Sequence, residues 1–341
     1  MTAEPLAILS TGLVTAVGLS APATCAAIRA GLTNPTETRF MNAGGEWIMS
    51  HTVPLEQPWR GRQKLARMAA MAIEETLFDT SRENWRRIPL LLCVAERSRP
   101  GRTEGLEDQL LAEVQQLVAA SFAPESVVIP QGRVGAAIAL LRARQFIYEG
   151  HATATLIVGT DSLLTWPTLR VFDERARLLR ERNANGFIPG EAGAAVLVGQ
   201  PPAYSQLRIE GLGLAAEEAH IDAGEPLRAD GLTRAIQIAL RDAECQMHDL
   251  DFRISDISGE QYYFKEAALA LSRTLRQRKA EFDLWHPAEC IGEAGSAIGP
   301  VMLAVAAAAC RKAYAPGPGI LLHSSDDDGQ RAAMVLRYRV S

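Results

Sequence analysis

The residue pair best suited to covalent chemistry in this 341-residue chain is Cys290 with His286, which lies four positions before it. A cysteine thiolate activated by a histidine base attacks thioesters and other carbonyl compounds. Pro287 stands between the two residues and disfavours the continuous helix that would bring side chains four positions apart together. Cys290 is the one reasonable candidate for a nucleophile, but because Pro287 separates it from His286 we favour a non-catalytic interpretation of it.

The other polar residues do not form a recognisable metal or cofactor motif. The six histidines lack metal-ligand spacing, and the five cysteines are scattered with no CxxC pair, which argues against a zinc site and a disulfide framework. Asp326, Asp327 and Asp328 could coordinate a cation, but consecutive acids more often form a solvated turn, which we expect here. Gly211 and Gly213 form a lone GxG, which is not a dinucleotide fingerprint. We expect no cofactor and no metal.

Composition limits the class of protein. Hydrophobic residues make up 48% of the chain and charged residues 22%, as in ordinary globular proteins. The net charge of -5 offers no basic excess for a nucleic-acid backbone. The N-terminus shows no secretory signal, and the longest apolar stretch, 298–310, is too short to span a bilayer. We therefore expect a cytoplasmic protein with no nucleic-acid or membrane partner, in which 298–310 is a buried helix.

Strands and helices are predicted to alternate along the chain, from the periodicity and the position of turn residues. The predicted strands are 6–17, 88–95, 126–130, 153–159, 193–198, 207–214, 252–258, 282–285, 320–323 and 332–338. The predicted helices are 22–30, 64–78, 107–120, 134–149, 232–245, 264–278 and 296–312. The segment 31–62 is predicted to be loop.

This order repeats. Each half follows β-α-β-α-β-α-β-β, and the alternation indicates an α/β fold with a mostly parallel sheet and helices on both faces. A proline-marked linker, QPPAYS at 200–205, separates the repeats. We therefore predict two similar halves, 1–203 and 204–341.

Three stretches resemble the β-ketoacyl synthases. The stretch LIVGTDSLLTWPTLRVFDERARLLRERNANGFIPGEAGAAVLVG, 156–199, is similar to the family's segment from the GG-S strand to the GF-PGEGA turn. IGEAGSAIG, 291–299, resembles the GH–AAG loop, and HSSDDDGQRAAMVL, 323–336, resembles the NSFGFGGTNA hairpin. With the element order, the resemblance covers nearly the whole chain. It implies the thiolase-like duplicated fold of α-β-α-β-α layers.

The resemblance also implies where catalytic residues should stand. In the family, a cysteine at a helix N-terminus is the nucleophile, two histidines polarise the thioester, and a lysine and a glutamate support them. The cysteine position falls on Arg133, the histidine positions on Ser258 and Glu293, and the lysine position on Ala288. Glu266 matches the supporting acid. The resemblance therefore implies that the catalytic residues are lost.

The neighbourhood of Arg133 gives no substitute nucleophile, because a shift of one or two positions reaches only Gly132 or Gln131. An arginine at a helix N-terminus interacts unfavourably with the helix dipole, which costs roughly 0.3–1 kcal/mol of stability. We hypothesise that Arg133, Glu293 and Glu260 fill the former pocket as an ion-pair cluster. The alternative is that Arg133 points to solvent.

These observations favour a non-catalytic β-ketoacyl synthase homologue that acts as a scaffold or partner subunit, such as a chain-length factor or an accessory protein. The resemblance implies a homodimer, or a heterodimer with a synthase-like subunit, formed through the strand and helix around the nucleophile position. Two alternatives stay open: a 3-oxoacyl-carrier-protein synthase or acyltransferase that uses Cys290, and an acyl- or pantetheine-binding protein without turnover.

A basic stretch suggests a second partner. It could receive an acidic carrier protein, or it could be a solvated helical face. Its members are Arg170, Arg175, Arg177, Arg180 and Arg182.

Overall fold

A computed structural model describes residues 4–204 and 206–340. The strands are β1 Leu6–Val14, β2 Thr36–Met41, β3 Trp47–Ser50, β4 Leu90–Val94, β5 Val127–Pro130, β6 Ala154–Ser162, β7 Glu191–Gly199, β8 Gln206–Ala216, β9 Phe252–Ser255, β10 Leu284–Trp285, β11 Gly319–Ser325 and β12 Gln330–Arg339. The helices are α1 Ala21–Arg29, α2 Gly61–Thr76, α3 Arg82–Trp85, α4 Leu110–Leu117, α5 Gly135–Tyr148, α6 Trp166–Glu174, α7 Asp230–Asp242, α8 Gln261–Thr274, α9 Ala288–Ile291 and α10 Ile298–Arg311.

Ten strands form one sheet in the order β10-β9-β11-β12-β8-β1-β7-β6-β4-β5. The outer pairs β10–β9, β9–β11, β6–β4 and β4–β5 are parallel. The five central pairs are antiparallel, so the prediction of a mostly parallel sheet is wrong. Part of the reason is local, because the β11–β12 connection is a tight turn and a hairpin joins strands only in antiparallel fashion.

The strand order is the same in both halves when it is read outward from the centre. β1-β7-β6-β4-β5 runs to one edge and β8-β12-β11-β9-β10 runs to the other. The halves join through a short pairing in which Leu6 faces Ile209 and Ala7 faces Arg208. The division into 1–203 and 204–341 stays a prediction, and this order supports it.

Five layers follow from the helix contacts. α5 and α10 contact strands of both halves and form the central layer. α2 and α4 cover the outside of the first half, and α7 and α8 cover the outside of the second half. α10 is buried from Ile298 to Cys310, as a helix that is apolar on every side should be. The α-β-α-β-α fold class predicted from the sequence is therefore confirmed.

One hairpin and three short helices were not predicted from the sequence. The β2–β3 hairpin lies within the predicted loop 31–62, and its largely exposed residues give little hydrophobic alternation. The short helices α3, α6 and α9 were also not predicted, although Thr165 caps α6 by accepting a hydrogen bond from the Thr168 amide. None of the helices in the described residues is both long and apolar enough to cross a membrane.

Candidate functional site

The carboxyl ends of four strands meet the beginnings of α5 and α10 at one place in the molecule. Glu96 follows β4, Asp161 lies at the end of β6, Asp256 follows β9, and Asp326 follows β11. Ligands in α/β proteins bind at the carboxyl ends of parallel strands, where loops converge. Here that position is occupied by buried acids.

Arg133 lies in a turn of 3-10 helix just before α5, and its side chain is only 6% exposed. Its guanidinium donates to the hydroxyl of Tyr263 at 2.8 Å and to the carboxylate of Asp327 at 2.5 Å. Glu293 lies 3.4 Å away and Asp256 3.8 Å away. The guanidinium also lies 4.7 Å from the centre of the Tyr263 ring. The expected contact with Glu293 is present, and the solvent-facing alternative is wrong.

Glu260 does not contact Arg133 as we expected, but binds a second arginine. Both oxygens of Glu260 accept hydrogen bonds from Arg177 at 2.7 Å. Arg177 also donates to Asp327 at 2.5 Å, so Asp327 bridges the two guanidiniums. Arg177 was expected in an exposed basic stretch, but it is buried against Phe172 and Phe187.

The turn between β11 and β12 is not the solvated acidic turn that we expected. Asp326 is 2% exposed, and its carboxylate accepts the backbone N–H of Arg133 at 2.9 Å. Asp327 is held by the two arginines, and of the three acids only Asp328 faces solvent. The alternative was that these acids coordinate a cation, but Asp327 is neutralised by the guanidinium groups of Arg133 and Arg177 instead. Among the described residues, no three His, Cys, Asp or Glu side chains are arranged to hold a metal.

A third buried arginine, Arg99, completes the site. It donates to both oxygens of Glu96, at 2.5 and 2.8 Å, and lies 3.4 Å from Asp161. Asp161 in turn accepts the backbone N–H of Ser296 at 2.9 Å, just before α10 begins. Arg99, Glu96 and Asp161 were not predicted from the sequence, although Glu96 is a charged residue directly after the predicted buried strand 88–95.

We call this set the arginine–carboxylate cluster. Its members are Arg99, Arg133, Arg177, Glu96, Asp161, Asp256, Glu260, Glu293, Asp326 and Asp327.

The other family positions divide between this cluster and its surroundings. Ser258 donates a hydrogen bond to Glu293 at 2.9 Å, so the two positions at which the resemblance implies histidines are in contact, and Glu293 adjoins Arg133. Ala288, at the lysine position, is a buried residue of α9. Glu266 lies outside the cluster, where it accepts from Arg331 at 2.7 Å and from Ser325 at 2.7 Å. Glu266 therefore stabilises the β11–β12 hairpin.

Burial and neighbouring charges shift the pKa of several carboxyl groups in the cluster. Burial raises the pKa of Asp256 to about 7. Burial and the neighbouring Glu96 raise the pKa of Asp326 well above its usual range. Burial would also raise the pKa of Asp327, but Arg133 and Arg177 outweigh it and lower that pKa. Asp256 and Asp326 thus hold a proton at higher pH than ordinary carboxyl groups do, while Asp327 stays ionised.

The side chains leave almost no space above the cluster. The cavity lined by Arg133, Glu293 and Asp327 measures about 10 Å³. That is the space needed by a single water molecule. An acyl thioester cannot enter it without displacement of a charged side chain.

Cys290 does not have the environment of a reactive thiol. It is buried, and its burial, with the charge of Glu289, raises the pKa of the thiol. A nucleophilic cysteine requires the opposite shift. His286 lies 2.9 Å from Glu289, and no hydrogen bond joins it to Cys290 within the described ranges. Cys93 and Cys310 are likewise buried, as expected of small apolar residues.

The basic stretch has fewer free charges than its sequence suggests. Only Arg170 lies on a helix, so the stretch is not one helical face. The pairs outside the cluster are Arg170–Glu174 at 2.7 Å, Arg175–Asp222 at 2.9 Å and Arg180–Asp173. Arg182 has no acidic partner in the described part of the chain. Docking of an acidic carrier protein here stays a prediction.

Comparison by sequence finds no matching family model and no matching curated protein. Comparison of structures finds many matches. One is a ketosynthase in complex with its chain length factor from Xenorhabdus doucetiae, with a TM-score of 0.80, 14% identity and coverage of 98% of each chain. Another is the ishigamide ketosynthase/chain length factor, with a TM-score of 0.79, 15% identity and coverage of 99% of this chain and 100% of that chain.

A β-ketoacyl synthase from Burkholderia phymatum also superposes, with a TM-score of 0.74 and 16% identity over 99% of this chain and 100% of that chain. In these three comparisons the similarity extends over essentially the full length of both chains. At such low identities it establishes architecture only. This chain has the thiolase-like fold of the β-ketoacyl synthases.

Proposed function

We propose that this protein is a non-catalytic homologue of the β-ketoacyl synthases that acts as a partner or scaffold subunit. The observation that carries the proposal is the side chain of Arg133, which stands where the resemblance implies the nucleophile and is held by Tyr263, Asp327 and Glu293. A guanidinium stays protonated in proteins and is not a nucleophile. The site therefore lacks the group on which acyl transfer depends.

The two former histidine positions support the same conclusion. Catalysis of acyl transfer needs donors aimed at the oxygen that becomes negative in the transition state. Glu293 supplies a carboxylate there, and Ser258 donates its hydroxyl hydrogen to that carboxylate at 2.9 Å. With a cavity of about 10 Å³, the cluster also argues against an acyl or pantetheine pocket at this position.

The partner role is supported by an open edge. β5 pairs only with β4 and ends the sheet at one side, among the described residues. Leu141 of the neighbouring α5 is 37% exposed. A strand edge and an apolar side chain are suited to pairing with a second subunit. Two of the superposed structures are of a ketosynthase with a chain length factor. We propose that this edge binds a second copy or a synthase-like subunit.

The chemical half of the proposal is tested by intact-mass measurement. The protein is incubated with acetyl, malonyl and longer acyl thioesters of coenzyme A and of a carrier protein, beside an active ketosynthase as a positive control. We expect an adduct on the control and none on this chain. A stoichiometric adduct that survives desalting and maps to Cys290 would refute the non-catalytic assignment.

The partner half is tested by mass in solution, measured by light scattering alone and with a co-expressed synthase-like subunit from the same organism. Leu141→Lys places a charge beside β5 and is expected to weaken association at least tenfold. Leu117→Lys is the matched control, since Leu117 of α4 is 39% exposed on the outer layer. A monomer under both conditions, or equal effects of the two variants, would contradict the assigned interface.

A further inference from the structure

A second cavity lies away from the arginine–carboxylate cluster. It lies between the end of α1, the segment 284–290 and the middle of α10, and it measures about 330 Å³. That volume is at the lower end of the range for small-molecule sites in proteins. A cavity of this size suits a ligand smaller than most drugs.

One side of the cavity is apolar. Ile28, Pro287 and Val305 line it together with the thiol of Cys290. The ring of Trp285 adds an aromatic surface, and it stacks against Tyr314 with ring centroids 6.3 Å apart and planes inclined by 20°. These surfaces favour burial of an aliphatic or aromatic group.

The other side carries hydrogen-bond donors. The guanidinium of Arg29 lies 4.3 Å from the centre of the Tyr314 ring and has no acidic partner among the described residues. The hydroxyl of Tyr314 likewise has no hydrogen-bond partner within those residues. Burial raises the pKa of Tyr314 to about 12, so this hydroxyl stays a donor at neutral pH.

The acid that lines the same cavity does not pair with Arg29. The carboxylate of Glu289 lies 2.9 Å from Nδ1 of His286, and no ion pair joins it to Arg29 among the described residues. The rim of the cavity thus presents a guanidinium without an ion-pair partner and one phenolic donor above an apolar floor. This is the arrangement that recognises an anion with an apolar tail.

We propose that this cavity binds a small carboxylate that carries an aliphatic or aromatic tail. The carboxylate lies at Arg29 and Tyr314, and the tail packs against Trp285 and Val305. The inference does not depend on the proposed partner function, because no residue of the arginine–carboxylate cluster takes part.

The test is calorimetric titration of the full-length protein with octanoate, and with octan-1-ol as an uncharged ligand of the same length. We expect saturable binding of octanoate at one site per chain. Arg29→Met should weaken octanoate binding about tenfold, which corresponds to about 1.4 kcal/mol, and leave octanol binding unchanged. Arg276→Met is the matched control, since Arg276 is exposed on the opposite outer layer.

A second variant tests the location. Val305→Phe fills the cavity and should abolish binding of both ligands. Circular dichroism shows whether that variant folds. If it does not fold, the test rests on Arg29→Met, which changes an exposed residue. Absence of saturable octanoate binding would overturn the proposal. Equal binding of octanoate and octanol, with no effect of Arg29→Met, would overturn the carboxylate assignment.

Discussion

Replacement of Arg133 by methionine removes the charge at the centre of the site and keeps much of the side-chain volume. In the folded protein the guanidinium neutralises Asp327 at 2.5 Å and adjoins Glu293 at 3.4 Å and Asp256 at 3.8 Å. The short bond to Asp327 is charge-assisted and contributes about 1.5–3 kcal/mol. The two longer contacts and the loss of the Tyr263 bond bring the expected destabilisation to about 3–5 kcal/mol, as for other broken buried pairs.

Urea unfolding followed by circular dichroism measures this change. Arg170→Met is the control, because Arg170 and Glu174 form an ion pair that is more than half exposed; its loss should cost less than about 1 kcal/mol. The Arg133→Met, Asp327→Asn double-mutant cycle then isolates the coupling of the two charges. A destabilisation by Arg133→Met no larger than that of Arg170→Met would refute the description of the cluster as a neutralised, buried set.

Two further predictions concern pH and the backbone. Burial raises the pKa of Asp256 from 3.8 to about 7, so the folded state holds a proton that the unfolded state releases, and stability falls as pH rises from about 4 to 7. Asp256→Asn cannot ionise, so its urea midpoint should depend less on pH over that interval; an unchanged slope would contradict the assignment. Gly132 has a φ of +48°, and a Cβ there would collide with Asp326 Oδ2 and lie 2.5 Å from Glu96 Oε2. Gly132→Ala should therefore cost about 1–3 kcal/mol. Gly150→Ala, where φ is +80° and the space is open, isolates the backbone contribution, and equal costs would show that the carboxylates of Asp326 and Glu96 do not crowd Gly132.

The local pattern of apolar and turn residues was sufficient to predict much of the architecture. Most helices and strands of the large sheet were predicted within a few residues, because buried elements carry strong periodicity and turn residues interrupt it. The repeated order and the stretch 156–199 led to the fold class. The hairpin at β2–β3 escaped because exposed strands have little periodicity to detect. Strand direction also escaped, since periodicity contains no information about which strands become neighbours.

The site was only partly predictable for the same reason. The resemblance placed Arg133, Ser258 and Glu293 at the positions that converge, because the fold brings those positions together whatever residues occupy them. It did not predict the roles of Arg99 and Arg177. Asp161, which adjoins Arg99, and Glu260 and Asp327, which bind Arg177, lie far from them in the sequence.

By itself, the sequence determined the α/β class of the chain and led to the predictions of two similar halves and of absent catalytic residues. Only the tertiary structure decided that Arg177 and Asp326 are buried and that side chains fill the space around Arg133. Burial of a charge depends on compensation by charges from other elements, and such partners become neighbours only when both halves of the sheet close around α5 and α10.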